Sequence, residues 1–300
     1  MLKIAFHPSY VYPLPPKHRF PMEKYELLPQ QLLLEGTCDE ANFFEPELPN
    51  DKYICAVHDP DYYYDFLNLK LSQKEIRRTG FPLSRALVAR ERLIAGGTIM
   101  AAEFALQYGI AMNIAGGTHH AYTNRGEGFC MLNDQAIAAR YLQQQKLAEK
   151  ILIVDLDVHQ GNGTAEIFEG DDSVFTFSMH GEKNYPFKKE KSDLDIGLPN
   201  DTSDEVYLKT LKETLPQLIE KVKPDFVFYL SGVDVLATDK LGKLSLSIEA
   251  CKERDRFVLQ TLKEQQIPVE CSMGGGYSQE IKYIVEAHAN TYRLAQEIFF

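Results

Sequence analysis

The stretch Ile151-Leu152-Ile153-Val154-Asp155-Leu156-Asp157-Val158-His159 opens as an unbroken apolar run and closes in carboxylates and an imidazole. Four consecutive branched aliphatics do not alternate with polar residues. They read as a strand covered on both faces, as in a parallel sheet. In open sheets of this kind ligands bind beyond the carboxyl ends of the strands. The acids and the histidine begin where the apolar run stops, so the stretch predicts an α/β fold with a site on one rim of its sheet.

Working outward, the same grammar repeats. Residues 2–6 read as a first short strand. Residues 84–108 are Ala-rich and helical, with Ser84 as N-cap and Gly109 as stop. Gly96 and Gly97, in the middle of that helix, suit close packing. Strands follow at 110–115, 151–154, 174–178, 226–230 and 268–272. Helices fall between and after them at 133–146, 163–168, 203–222, 247–265 and 279–297. Strands alternating with helices imply parallel strands joined by right-handed crossovers. The expected architecture is a single three-layer α/β/α domain over residues 1–300, with a central, mostly parallel sheet. Between His7 and Pro29 stand six prolines, at 8, 13, 15, 16, 21 and 29. Proline is excluded from helix interiors and central strands, so most of this segment reads as an irregular loop of the kind that often serves a site.

The 300 residues carry 32 Lys and Arg against 43 Asp and Glu, a net charge of −11. That balance argues against a binder of nucleic-acid backbones and permits a cationic substrate such as a modified lysine or a polyamine. No apolar run approaches the ~20 residues that span a membrane. The residues before Pro8 are too few for the core of a signal peptide. The expectation is a soluble cytoplasmic protein without membrane or nucleic-acid partners. Five widely spaced cysteines (38, 55, 130, 251 and 271), with no C-x-x-C, fit a reducing compartment.

Chemistry-bearing residues follow four of the strands. They are Gly116-Gly117-Thr118-His119-His120, Asp155 to His159, Ser231-Gly232-Val233-Asp234 and Met273-Gly274-Gly275-Gly276-Tyr277. If the strand continued past 154, Asp155, Asp157 and His159 would share a face. Two converging carboxylates need a cation or many hydrogen bonds. Asp157, His159 and Asp234 would give the three protein ligands of a catalytic divalent metal, zinc or iron(II). The plainer alternative is an ion-paired Asp and a capping His at a strand end. His119 and His120 suit a general base and its partner beside a metal-bound water, and Tyr277 suits an oxyanion donor. Gly161-Asn162-Gly163 reads equally as a helix start or a plain turn. There is no G-x-x-x-x-G-K-[ST], no G-x-G-x-x-G after a strand and no G-x-S-x-G. The site therefore reads as hydrolytic and metal-based, without a nucleophilic serine.

Taken together, these motifs resemble the histone deacetylase family. The matching stretches are Gly116 to Ala121, Gly128-Phe129-Cys130-Met131-Leu132-Asn133-Asp134, Asp155 to Gly163, Ser231 to Asp234 and Gly274 to Tyr277. Leu241-Gly242-Lys243-Leu244-Ser245-Leu246-Ser247 looks most like the class IV branch and its bacterial amidohydrolase cousins. The resemblance implies an arginase-like fold and a catalytic domain spanning residues 1–300. It implies zinc on Asp157, His159 and Asp234, His120 as general base, His119 as its electrostatic or acid-side partner, and Tyr277 polarising the acyl carbonyl. It implies that Asp155 orients His119, that Asn162 orients His120, and that Gly128, Phe129, Tyr185 and Gly275 bind the substrate. It further implies a structural potassium ion at Asp155, Ser178 and the backbone of Asp157, His159 and Met179, with a second around Phe168 and Val174.

The implied activity is removal of acetyl or longer acyl groups from the ε-amine of lysine. An acetylpolyamine or other small-amide deacetylase is the alternative, favoured by a narrow acidic mouth to which Glu23 or Glu26 could contribute. A ureohydrolase would need more metal ligands, and a non-catalytic acyl-lysine binder would lack one of the residues named. Three departures stand out. Asn162 replaces the Asp of many class I relatives, the 80–82 segment lacks their rim Asp, and Pro13-Leu14-Pro15-Pro16 replaces the long loop expected at the mouth.

Overall fold

A computed structural model describes all 300 residues. In chain order the elements are β1 (Lys3–Ala5), α1 (Lys24–Leu34), β2 (Phe43–Phe44), α2 (Asp51–Ile54), α3 (Pro60–Leu67), α4 (Gln73–Thr79), α5 (Arg85–Tyr108) and β3 (Ile110–Asn113). They continue with α6 (Asp134–Gln144), β4 (Ile151–Asp155), α7 (Asn162–Ile167), β5 (Val174–Gly181), β6 (Leu194–Leu198), α8 (Asp204–Val222), β7 (Phe226–Leu230), α9 (Ile248–Glu264), β8 (Val269–Ser272) and α10 (Ile281–Phe299). The apolar run 151–154 lies in β4, an interior strand of the sheet between β7 and β5. Every residue of β3, β4, β7 and β8 is buried.

The eight strands form one sheet in the order β2-β1-β3-β8-β7-β4-β5-β6, and every pairing is parallel. From β3 the chain steps outward to β4 and β5, then returns through β7 and β8 to fill the gap between β3 and β4. With right-handed crossovers the outward helices α5 and α6 cover one face, and the returning helices α8 and α9 cover the other. Contacts agree: α5 packs on α6, while α9 packs on α8 and α10. One contiguous core of 81 buried residues runs through all three layers, so the sheet and both helix layers share a single interior. No helix is long and apolar enough to cross a membrane.

The sequence-derived elements reappear with their ends moved by a few residues, and Ser84 caps α5 through the Leu87 N–H as expected. A Cβ on Gly96 would fall 1.8 Å from the Glu47 carbonyl oxygen, which explains the glycine there. Three expectations are corrected. The irregular segment after His7 ends at α1, and Pro29 lies inside that helix, where it forgoes one backbone hydrogen bond. The burial of Leu28, Pro29 and Leu32 and the packing of α1 on α10 offset that loss. β6 was not foreseen, because its Leu-Asp-Ile-Gly-Leu is an edge strand with one exposed side. Finally, β4 stops at Asp155, and residues 156–159 bend away from the strand. Asp155, Asp157 and His159 therefore do not share a strand face.

Candidate active site

The bend after β4 decides the geometry. Asp155 turns aside and its Oδ2 lies 2.7 Å from Nδ1 of His119. Asp157 and His159 instead converge with Asp234, delivered by the neighbouring strand β7. The donor atoms of these three buried residues lie within 4.8 Å of one another. Backbone donors fix each carboxylate. The Gly275 N–H donates to Asp157 Oδ2 (2.8 Å), the His159 N–H to Asp157 Oδ1 (2.9 Å) and the Val158 N–H to Asp234 Oδ1 (2.9 Å). His159 Nδ1 then faces Asp157 Oδ1 at 3.0 Å and Asp234 Oδ2 at 3.2 Å.

This trio is electrostatically unfinished. Burial disfavours a charged His159, yet its two carboxylate neighbours outweigh that and push its pKa up to about 10. Burial, with the Asp157 charge beside it, pushes Asp234 up to about 7. Two buried carboxylates around one imidazole carry negative charge that a cation would balance. Two carboxylate oxygens and one imidazole nitrogen suit zinc or iron(II), so the residues present match the implied metal.

His119 and His120 follow β3, and their rings lie 4.1 Å apart between centroids, tilted by 43°. The loop carrying them is pinned by Asp134 at the start of α6. Its carboxylate accepts from the N–H groups of Gly117 (3.2 Å) and Thr118 (2.8 Å) and from the Thr118 hydroxyl (2.6 Å). The two histidines are tuned in opposite directions. Burial acts against a charged His119, but the Asp155 and Asp157 carboxylates win and raise its pKa. Burial holds His120 well below the usual range, and the neighbouring histidines add to this. His120 Nδ1 lies 2.6 Å from Asn162 Oδ1, and the Asn162 amide donates to the Tyr122 hydroxyl at 2.9 Å. That second bond fixes the amide with its oxygen toward His120. Nδ1 therefore carries the hydrogen and Nε2 is left as the free base.

Tyr277, beyond β8, is held through its N–H on Asp239 Oδ2 (2.6 Å). Burial keeps its phenol protonated, well above its ordinary pKa. Its ring is 6.0 Å from Phe129 and 6.4 Å from His159. Phe129 adopts φ +69° and Gly128 φ +51°, a conformation costly for an aromatic residue. Backbone bonds to Thr79 and Arg78 on α4 hold it there (2.7 and 3.2 Å). Tyr185 stands edge-on to His120 with centroids 5.0 Å apart, its hydroxyl donating to Glu127 (2.5 Å). Gly275 contributes through the N–H that holds Asp157. Ser178 is the register partner of Asp155 across β4 and β5. Met179 is buried on β5, and the Phe168 carbonyl accepts the Asp171 N–H.

Two spaces adjoin this centre. An outer cavity of ≈ 310 Å³, walled by Phe129, Tyr185 and Tyr277, opens to the surface past Arg19, Arg78, Lys183 and Lys243. An inner one of ≈ 40 Å³ touches Asp157, His159 and Tyr277 and extends to Tyr25, Phe81, Arg90 and Ile94. Neither Glu23 nor Glu26 lines the mouth, and neither do Pro13 to Pro16. The proline-rich segment reaches the site later, through Arg19 over the Phe129 ring (4.9 Å) and Phe20 against Phe129 and Tyr277 (5.1 and 5.8 Å).

A histone deacetylase domain matches residues 18–292, nearly the whole chain. The chain belongs to the histone deacetylase family. Membership places it among deacetylases, hydrolases acting on acetylated amides. It is 47% identical to an uncharacterized protein of Picosynechococcus sp., over 99% of both chains. It is 31% identical to a probable deacetylase of Archaeoglobus fulgidus, covering 92% of this chain and 81% of that one. Among solved structures, a histone deacetylase homologue complexed with SAHA superposes with a TM-score of 0.84 at 25% identity, over 97% of this chain and 82% of that one.

Sequence reasoning missed several groups that build this candidate site. Arg254 on α9 is fully buried. Its guanidinium donates to the carbonyls of Gly232 (2.6 Å), Leu156 (3.2 Å) and Ser231 (3.2 Å), which lead into Asp234 and Asp157. The signal was present, since Arg254 and Asp255 interrupt the apolar face of α9 formed by Ala250, Cys251, Val258 and Leu259. Lys24 is buried behind Tyr277, donating to the Gly274 carbonyl (3.1 Å), and burial lowers its pKa to about 8. Neither it nor Phe20 stands in any periodic pattern, so nothing in the sequence marked them.

Proposed function

We propose that the chain is a zinc-dependent amidohydrolase that removes acyl groups, acetyl foremost, from the ε-amine of lysine. The observation that carries this reading is the convergence of Asp157, His159 and Asp234 at the foot of an aromatic-walled cavity, beside two oppositely tuned histidines.

A divalent ion on these three residues would supply Lewis acidity toward the acyl oxygen and lower the pKa of a water. The side chains then divide the work. Phe129 and Tyr185 flank the apolar stem of the acyl-lysine and exclude water from it. His120, neutral with Nε2 free, takes the proton from the attacking water. Tyr277, kept protonated, donates its hydroxyl to the oxygen that gathers negative charge. His119, favoured as a cation by Asp155, holds a proton near the leaving amine. The inner cavity, lined by Tyr25, Phe81, Arg90 and Ile94, is where the acyl group would sit. A potassium ion beside Asp155, Ser178 and the backbone of Asp157, His159 and Met179, with a second near Phe168 and Val174, belongs to the same reading. It would stiffen the bend that positions the trio. The five free cysteines suit a cytoplasmic setting.

The test is hydrolysis of matched acetyl-lysine, octanoyl-lysine and acetylspermidine substrates, with zinc restored and with chelator, beside Tyr277→Phe. The expected result is chelator-sensitive turnover, fastest on acetyl-lysine, falling about 10²–10³-fold in the variant. No turnover of any substrate by protein carrying one zinc per chain would overturn it.

A further inference from the structure

We propose that the mouth of this site selects acyl-lysines flanked by acidic residues and disfavours both lysine-rich sequences and polyamines. The inference rests on the acyl-lysine reading and deepens it by naming the charge of the substrate around the scissile amide.

The chain as a whole is acidic, at −11, yet the outer cavity is lined by four cations and by no carboxylate. Arg19 comes from the segment before α1, Arg78 from the end of α4, Lys183 from the loop after β5 and Lys243 from the loop after β7. All four are exposed. Arg19, Lys183 and Lys243 form no ion pair. Arg19 rests on the Phe129 ring at 4.9 Å, and Lys243 Nζ donates to the Lys183 carbonyl at 3.0 Å. Arg78 is the exception: Glu127 lies 3.8 Å away, though it is also engaged by Arg125 (3.0 Å) and Tyr185 (2.5 Å), and Glu75 on the same helix feels its charge while accepting from the Ser72 N–H. Cations gathered mostly without partners on an acidic protein leave a positive field over the opening, which draws anionic ligands and repels cationic ones.

The placement favours a peptide over a small anion. The cations fall into two groups, Arg19 and Arg78 at the Gly128–Phe129 wall and Lys183 beside Lys243, so an extended ligand across the opening can meet positive charge at more than one point. An extended peptide spans about 3.3–3.6 Å per residue, which sets the side chains next to the acyl-lysine over the rim rather than in the channel. Phe187, 91% exposed, stands at the same rim as an apolar surface for that peptide.

The test uses three fluorescent acetyl-lysine peptides that differ only in flanking residues, two Glu, two Gln or two Lys, together with acetylspermidine. Both kcat/KM and anisotropy-derived Kd are measured on the zinc-loaded protein at 0.05 M and 0.5 M salt, beside the double variant Lys183→Glu/Lys243→Glu. The expected result is a preference of roughly five- to tenfold for the Glu-flanked over the Lys-flanked peptide, the size expected of a few exposed charge pairs. It should shrink in high salt and reverse in the double variant. Equal or tighter binding of the Lys-flanked peptide, or faster turnover of acetylspermidine than of the Glu-flanked peptide, overturns the proposal. If no peptide is hydrolysed but the ranking of Kd holds, the surface stands and the hydrolytic reading falls.

Discussion

Asn162 Oδ1 accepts the Nδ1 hydrogen of His120 across 2.6 Å, so a neutral amide rather than a carboxylate orients this imidazole, the general base of the proposed reaction. The amide is locked by its own donation to Tyr122, whose hydroxyl passes a hydrogen bond to Glu190 at 3.2 Å. A neutral acceptor adds no charge to stabilise a protonated imidazole, which agrees with the lowered pKa of His120. Asn162→Asp supplies that charge and should raise the His120 pKa by about 1–3 units. A general base must be unprotonated to act. The acidic limb of kcat/KM against pH should therefore move upward in the variant, with activity lost first at low pH. A limb that stays in place would mean that His120 is not the group it reports.

Metal binding should release protons. In the metal-free protein His159 is held at about 10 and Asp234 at about 7. At pH 8 the imidazole is protonated and Asp234 is mostly ionised, so zinc displaces roughly one proton. Affinity should then rise about tenfold per pH unit between about 7 and 10 and level off above. Calorimetry in buffers of different ionisation enthalpy counts the proton directly. Chelation should abolish turnover and lower the melting temperature, since the ion binds only the folded site. A zinc affinity flat across this range would remove the protonated trio from the account.

Much of the site was legible because its residues follow apolar runs. The strands beneath Asp157, Asp234 and Tyr277 are buried on both faces and so cannot hide in a sequence. Their spatial order was not legible, because β7 and β8 fill the gap between β3 and β4 from the far end of the chain. The bend at 156–159 escaped for a different reason. Alternation continues through Asp155-Leu156-Asp157-Val158-His159 whether or not the backbone stays extended. Only the N–H bonds to Asp157 and Asp234 reveal that it turns. Lys24 and Phe20 come from a proline-rich segment whose path is set by tertiary contacts alone, which periodicity cannot register.

Arg254 should prove as important to the trio as a ligand. It is wholly buried, paired with Asp255 at 2.8 Å, and it holds the carbonyls of Leu156, Ser231 and Gly232 together. Arg254→Met leaves Asp255 without its cation and those carbonyls without donors. A loss of about 3–5 kcal/mol is the usual scale for breaking a buried pair. Arg254→Lys keeps the charge, but one ammonium cannot span three carbonyls as a planar guanidinium does. That variant should fold with reduced stability and bind zinc more weakly than the wild type. Urea unfolding with zinc titration checks both. Wild-type zinc affinity in Arg254→Lys would show that the carbonyls hold their places unaided.

Acid sensitivity should begin with a histidine outside the reaction. His58 is buried, with Nδ1 donating to the Tyr122 carbonyl (2.9 Å) and Nε2 accepting the Asn133 N–H (2.9 Å). Burial lowers its pKa to about 4, against about 6.5 in the unfolded chain. The unfolded chain therefore takes up a proton first as the pH falls. The contribution of His58 is fully present above pH 6.5 and lost progressively toward pH 4, in all ~3 kcal/mol at 1.36 kcal/mol per unit. Burial lowers His180 to about 4 as well, so it steepens the same window. His58→Gln removes one of the two. The variant should start less stable at pH 7, having lost one well-placed partner, yet lose less between pH 6.5 and 4.5. Chemical denaturation at half-unit intervals reads both slopes. Parallel curves for the two proteins would assign the acid sensitivity elsewhere, His180 being next.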